Sequence, residues 1–261
     1  GVGSPTRYML SLLAAVSVRS VGVRIWPIAV LIILMPAFNV FKQALLPMAG
    51  FQFDAVFAGF DELIVGTQAP GLWLVNYFNS PMLSRVIDSL YHAWFFPMVL
   101  GVMVVAFSRD AHWRQRYMMT FALAWFVMGT LMAFALPAAG PFYVQSVPAF
   151  AEQHALLLAH QAFGGELQAL TFQAYLRAAE ANGGVVMGGG ISAMPSMHNA
   201  FALLFALACW SRSQCLSVLL ACYAAAVLFG SVYLGWHYLI DGLIAWLGIA
   251  VLWHWSGRLV R

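Results

Sequence analysis

The amino-acid sequence predicts an all-α integral membrane protein with six transmembrane helices, an interfacial N-terminal helix, and amphipathic helices in its outer loops. Three observations carry that prediction. Apolar residues make up 63% of the 261-residue chain and charged residues only 8%, where an ordinary soluble domain carries roughly 25% charge. So little charge cannot cover a water-soluble particle, and so much apolar content excludes disorder. Six uncharged or nearly uncharged runs are long enough to cross a hydrocarbon core of about 30 Å, which takes about 20 residues. The cations are then shared unequally between the two ends of those runs. Residues 1–261 read as one membrane-embedded domain.

Residues 1–24 come first. Arg7 and Arg19 bracket a mostly apolar stretch too short to span. It lacks a small-residue cleavage site, which favours a helix lying at the interface over a secretory signal. The six spans follow as Ile25–Phe41, Ser89–Ser108, Tyr117–Leu136, Pro195–Ser211, Ser213–Leu234 and Tyr238–Ser256. Pro36, Pro97 and Gly129 inside them are tolerated, because neighbouring helices satisfy freed backbone groups. Placing the N-terminus inside puts nine arginines (7, 19, 24, 109, 114, 116, 212, 258 and 261) on the cytoplasmic side and leaves Lys42, Arg85 and Arg177 outside. The positive-inside rule therefore predicts that both termini are cytoplasmic.

Two long segments fall on the outer side. Lys42–Asp88 carries Asp54, Asp61 and Glu62 with turn signals at Gly66, Pro70-Gly71 and Pro81. Residues 140–194 form the larger cap, where Leu167, Leu170, Ala174 and Ala178 recur at helical spacing before Asn182-Gly183-Gly184 stops the helix. Cys209, Cys215 and Cys222 match neither a disulfide framework nor a zinc pattern and read as small core residues. A net charge of +3 with no basic run gives no nucleic-acid partner.

Two places interrupt the apolar pattern with costly groups. One is Ser192-Ala-Met-Pro-Ser-Met-His198-Asn199 at the start of the fourth span. The other is Ser231-Val-Tyr-Leu-Gly-Trp-His237-Tyr-Leu-Ile-Asp241-Gly242 at the start of the sixth. Both fall at the same outer level. Asp241 is the only carboxylate well inside a predicted span, where it costs about 2.5–3.5 kcal/mol and needs a partner. His237, four residues earlier, lies on the same helical face. A carboxylate on one imidazole nitrogen fixes the tautomer and leaves the other nitrogen as a nucleophile. His198 sits in the first helical turn after Pro195, where unpaired N–H groups favour an anion. Ser196 adds a hydroxyl donor, and His198 is placed to protonate a leaving oxygen. Glycines 183–184 and 188–190 permit close backbone approach.

His112, His154, His160, His254 and, for the most part, His92 read as interfacial residues, the commoner fate of a lone histidine near a span end. A zinc site on two histidines and an aspartate is the competing reading of the constellation. It has no HExxH pattern and gives the Pro-Ser-x-His turn no role.

Pro195-Ser196-Met197-His198 with Gly235-Trp236-His237-Tyr238-Leu239-Ile240-Asp241 resembles the second and third signatures of the type-2 phosphatidic acid phosphatase superfamily, each opening a membrane span. The resemblance implies a six-helix fold and a metal-independent reaction without cofactors. In it His237 forms a phosphohistidine, His198 is the acid, and Asp241 orients His237. Two departures matter. The superfamily's first signature, K-x6-R-P, is absent, and Val232 follows Ser231 where an arginine is usual. A phosphate monoester, near −2 at neutral pH, wants several cations, while a diester wants fewer. The sequence in this respect is similar to the branch of inositol phosphorylceramide and sphingomyelin synthases. Asp61-x-Leu63-x-x-Gly66-x-x-x-Pro70 and Pro137-Ala-Ala-Gly-Pro141 resemble the inositol-phosphotransferase members of that branch. Lys42, Arg85 and Arg177 are the candidate replacements for the missing cations, and each could equally contact a lipid headgroup.

The expectation is a lipid phosphotransferase that moves a head-group phosphate to a lipid hydroxyl. Its substrates are a lipid phosphoester and an alcohol or water acceptor. Its site faces the periplasmic side of a bacterial inner membrane. A phosphatase using water is the alternative. A proton-coupled transporter with His237–Asp241 as its relay is the second alternative, and it should show inverted repeats or further ionisable groups deep in the spans. A structural lipid-binding protein is the last. The sequence specifies no protein partner.

Overall fold

The computed structural model describes residues 18–183 and 186–260. Among them, all the regular structure is helical. Helix α1 (Val18–Ala49) contains a membrane-length apolar stretch, Val21–Ala44, around the expected first span. It absorbs residues 18–24 as well, because no stop signal separates them from the apolar run. The remainder of the expected interfacial helix lies outside the described residues.

Three helices follow where the sequence suggests an outer segment with turns. They are α2 (Asp54–Val65), α3 (Pro70–Phe78) and α4 (Pro81–His92), and α4 continues into α5 (Phe95–Phe107) as a single span, Pro81–Phe107. This span begins well before the expected Ser89. Ser80 caps it by accepting the Leu83 N–H, and Pro81 takes the first-turn position, where its missing N–H costs nothing. Asp88 therefore sits inside a span, and Asp241 is not the only buried carboxylate there.

The third span, Ala111–Ala135, is α6 (Ala111–Leu123), a π-helical stretch (Ala124–Met132) and a last turn, α7 (Ala133–Ala135). Gly129 lies in the wide stretch, and its bare Cα admits the ring of Phe38 from α1. Then come α8 (Pro148–Gly164), α9 (Gln168–Ala181), α10 (Met197–Cys209), α11 (Gln214–Tyr233) and α12 (Leu239–Leu259).

Among the described residues, five helices are long and apolar enough to cross a membrane. The expected fourth span is the exception. Helix α10 has 13 residues, about 20 Å at 1.5 Å per residue. Its environment explains the short length. Ala200, Phe201, Ala202 and Leu204 have no exposed surface, enclosed by Val102, Phe121, Trp125, Val227 and Ile249 of four neighbouring helical segments. A central helix that meets protein on every side need not match the hydrocarbon thickness. The surrounding helices carry the exposed apolar surface, as at Ile32, Ile33, Leu219 and Leu247.

Three further expectations are corrected. Cys215 and Cys222 are exposed on α11 rather than in the core, because their helix gives one whole face to the periphery. Ala174 and Ala178 are exposed, and the buried side of α9 is Ala169, Leu170, Gln173 and Leu176. That register is set by Asp88, which accepts the N–H groups of Gln168 and Ala169, and by Gln173, which donates to the Leu234 carbonyl. His160 is buried too. Its Nδ1 meets Ser84 Oγ at 2.7 Å and its Nε2 meets Asn79 Oδ1 at 3.0 Å, so it joins α8 to α4 instead of lying at an interface.

Helix α2 is amphipathic in the inverse sense. Asp54, Phe57, Ala58 and Asp61 are buried, whereas Val56, Phe60, Leu63 and Ile64 are exposed. Such a helix is stable only with its apolar face in lipid and its acids paired.

Pro70-Gly71, a turn signal in the sequence, is the first turn of α3. A Cβ on Gly71 would collide with the Gln153 side chain and the Val232 carbonyl oxygen. Gly71→Ala is expected to lower stability by about 1–3 kcal/mol through overpacking, measured as an earlier thermal transition in detergent. A melting curve matching wild type would mean that α3 moves freely on α11.

Candidate active site

The segment from Ser231 to Asp241 is folded onto itself before α12 begins. The N–H groups of Trp236 and His237 both donate to the Ser231 carbonyl, at 3.0 and 3.1 Å. Gly235 makes the turn at φ +75°, a conformation that disfavours other residues. Tyr238 is the N-cap, and its N–H donates to Asp241 Oδ2 at 3.0 Å.

This turn brings His237 back over Asp241. The His237 Nδ1 lies 3.4 Å from Asp241 Oδ2, with the histidine almost buried and the aspartate wholly so. That is longer than a formed hydrogen bond, and Nδ1 has no other partner. Catalytic hydrogen bonds often tighten only when charge develops. With Nδ1 turned to the carboxylate, Nε2 is the nitrogen left for chemistry.

The opposing residue comes from α10. Ser196 is its N-cap, accepting from the Asn199 N–H at 3.4 Å and from Asn199 Nδ2 at 2.9 Å. Asn199 also donates to Ser231 Oγ at 3.2 Å, and the Ser196 N–H donates to the Asp241 carbonyl at 3.4 Å. The two motifs are thus laced to each other through their first turns. Ser196, expected to bind phosphate, is fully buried in that lacing and sets the position of His198.

The His198 and His237 rings face one another with centroids 6.1 Å apart and planes at 57°. His198 is held on its other sides by aromatic rings. Tyr91 stacks on it at 4.9 Å and Trp94 meets it edge-on at 4.3 Å. Trp236 stacks in turn on Tyr91 at 6.4 Å. Asp241 approaches only the His237 side of the pair, and among the described residues no three metal-ligating side chains form a group.

The expected cations separate. Lys42, near the end of α1, is within electrostatic range of His198. Its backbone is pressed against Gly190, whose φ of +82° and missing Cβ allow that approach. Gln43 fastens the contact, accepting the Val186 N–H at 2.7 Å and donating to its carbonyl at 2.9 Å. Arg177 instead donates to the Phe142 carbonyl and lies 5.8 Å over that ring. Burial lowers its pKa from the usual arginine value. Arg85 is exposed beside Gly165, at the turn from α8 to α9. Of the three, Lys42 is the one whose charge acts on His198.

The structure adds residues that the sequence reading passed over. His92 Nδ1 lies 3.1 Å from Asp88 Oδ1 and 2.9 Å from the Asp88 carbonyl, and His92 also acts on His198. The spacing Asp88-x-x-x-His92 mirrors that of His237 and Asp241, and was the signal available. Asp54 and Asp61, read as acids of an outer loop, are buried against the start of α12.

A family model described as the PAP2 superfamily matches residues 68–255, which include both histidine motifs. No curated protein and no solved structure matches the chain.

Proposed function

The chain belongs to the PAP2 superfamily, and from that membership we propose that it is a lipid phosphotransferase working through a phosphohistidine on His237. The observation that carries this reading is the pair of imidazoles 6.1 Å apart with a carboxylate behind one of them. His237 Nε2 attacks the phosphorus of a lipid phosphoester. The new N–P bond forms as the P–O bond to the leaving alcohol breaks, and His198 gives its proton to that oxygen. Asp241 stabilises the charge that His237 acquires. In the second half the acceptor hydroxyl gives its proton to His198 while its oxygen attacks phosphorus, and the N–P bond breaks.

A phosphodiester donor and an alcohol acceptor fit better than a monoester and water. Of the three cations only Lys42 acts on His198, while Arg177 is engaged by the Phe142 carbonyl and Arg85 lies by Gly165. A monoanionic diester is matched by one ammonium, whereas a dianion is not. This supports the inositol phosphorylceramide synthase-like branch. Counting α10 as a short sixth span, with the arginine-rich ends cytoplasmic, supports a site on the opposite side of the membrane, which in a bacterial inner membrane is the periplasmic face.

The experiment supplies purified protein in liposomes with labelled phosphatidic acid, an isoprenoid phosphate, and phosphatidylinositol with ceramide or with diacylglycerol. Free phosphate and new head-group lipids are followed together. A new phosphodiester lipid that needs the alcohol acceptor is the expected product. Release of phosphate from the monoesters alone would make the protein a phosphatase. No turnover of any lipid, with His237→Ala indistinguishable from wild type, would remove the enzymatic reading.

A further inference from the structure

Helix α2 touches the catalytic segment at two points of one face. Asp54 accepts the Tyr238 hydroxyl at 2.9 Å and also the backbone N–H groups of Ala139 and Gly140. About two turns on, Asp61 accepts the N–H of Leu239 at 2.8 Å and that of Ile240 at 2.9 Å, with no exposed surface of its own. These are the first two N–H groups of α12, which would otherwise lack partners. The N-cap residue Tyr238 gives them no side-chain bond. The cap of the helix that bears Asp241 therefore comes from a different helix, and both contacts fall within residues 238–240, between His237 and Asp241.

Keeping that anion there is costly. Burial pushes the Asp61 carboxyl up to about 6; its two backbone bonds oppose the rise and Asp241 adds to it. The folded pKa exceeds the ordinary 3.8, so the native state binds more protons between those values. Stability from this group rises as pH falls through 6, and at neutral pH the ionised carboxylate detracts from it. A residue retained for stability alone would have the opposite sign.

We infer that Asp61 is a positioning residue: α2 is a brace clipped across residues 237–241, and Asp61 holds the first turn of α12 so that His237 stands opposite His198. The inference rests on the phosphohistidine reading above.

The test compares Asp61→Asn and Asp61→Ala with Thr120→Val, which breaks a 2.6 Å bond to Ser256 towards the other end of α12. Each is assayed on the lipid that the wild type turns over in the panel above, with kcat, KM, pH profile and melting temperature recorded. Asp61→Asn should lower kcat at least about tenfold with KM nearly unchanged, and Asp61→Ala should lower it further. The charged or titratable groups that act on His237 or on its partner Asp241 are His198, Asp54, Asp61 and Tyr238. Asn removes one anion from that set, so the pH–rate profile should move to lower pH. Melting should stay near wild type. Thr120→Val should melt earlier with kcat and pH profile intact. Wild-type kcat and pH profile in Asp61→Asn would overturn the inference, as would a kcat loss that only follows a melting loss. Either result leaves the phosphohistidine reading standing, because that reading falls only if His237→Ala stays active.

Discussion

His237→Ala should lose turnover by at least about 10³-fold, the scale on which removing a covalent nucleophile acts. The structure puts one nitrogen in position to attack. His237 Nδ1 lies 3.4 Å from Asp241 Oδ2, which leaves Nε2 as the free nitrogen, and the His198 ring is 6.1 Å away, centroid to centroid. Brief incubation of wild type with head-group-labelled lipid should leave acid-labile, base-stable label on the protein, and His237→Ala should take up none. The substitution strands Asp241, whose remaining side-chain partner is the Tyr238 N–H. A buried carboxylate stripped of a partner costs several kcal/mol unless it takes up a proton. His237→Gln, which keeps a donor near the carboxylate, is therefore measured beside it. Label on both variants would mean that another residue is the nucleophile.

The second large effect depends on the leaving group. His198→Ala should slow transfer from a lipid donor by about 10²–10⁴-fold, the ordinary worth of general acid catalysis. The donor's departing alkoxide is a poor leaving group without a proton. An aryl phosphodiester needs none, so the same variant should regain most of its first-step rate on that substrate. The wild-type profile should be bell-shaped, since one imidazole must be neutral and the other protonated. His198→Ala on the aryl ester should lose the basic limb. Equal losses on both substrates would leave His198 as a structural residue locked between Tyr91 and Trp94.

The sequence shows most of the lipid-crossing architecture and the two histidine motifs that the fold brings together. Apolar length and i,i+4 spacing are local properties, and the two motifs announce themselves by the cost of their groups. What the chain does not display locally is what each outer-segment acid meets. Asp54 and Asp61 look like loop acids because their partners lie at Gly140 and Leu239, far along the chain. The separation of Lys42 from Arg85 and Arg177 is likewise invisible in one dimension. Three cations share a side of the membrane, but only the packing of Lys42 on Gly190 carries one to the histidines. Helix α10 misleads for another reason. Its run of apolar residues reads as a full crossing, yet the turn at Trp210-Ser211-Arg212 and the cap at Ser196 cut it to 13 residues.

The family match begins at residue 68, and both histidine motifs lie beyond that point. Lys42, Asp54 and Asp61, by contrast, all precede it. On the reaction proposed above, the reacting residues lie in one stretch of the chain, and three of the groups that brace or electrically balance them lie in another. Changes in the opening quarter can alter how much negative charge the site accepts, or how rigidly its two rings are set, without altering either histidine. In evolutionary terms the catalyst can stay fixed while its harness is exchanged.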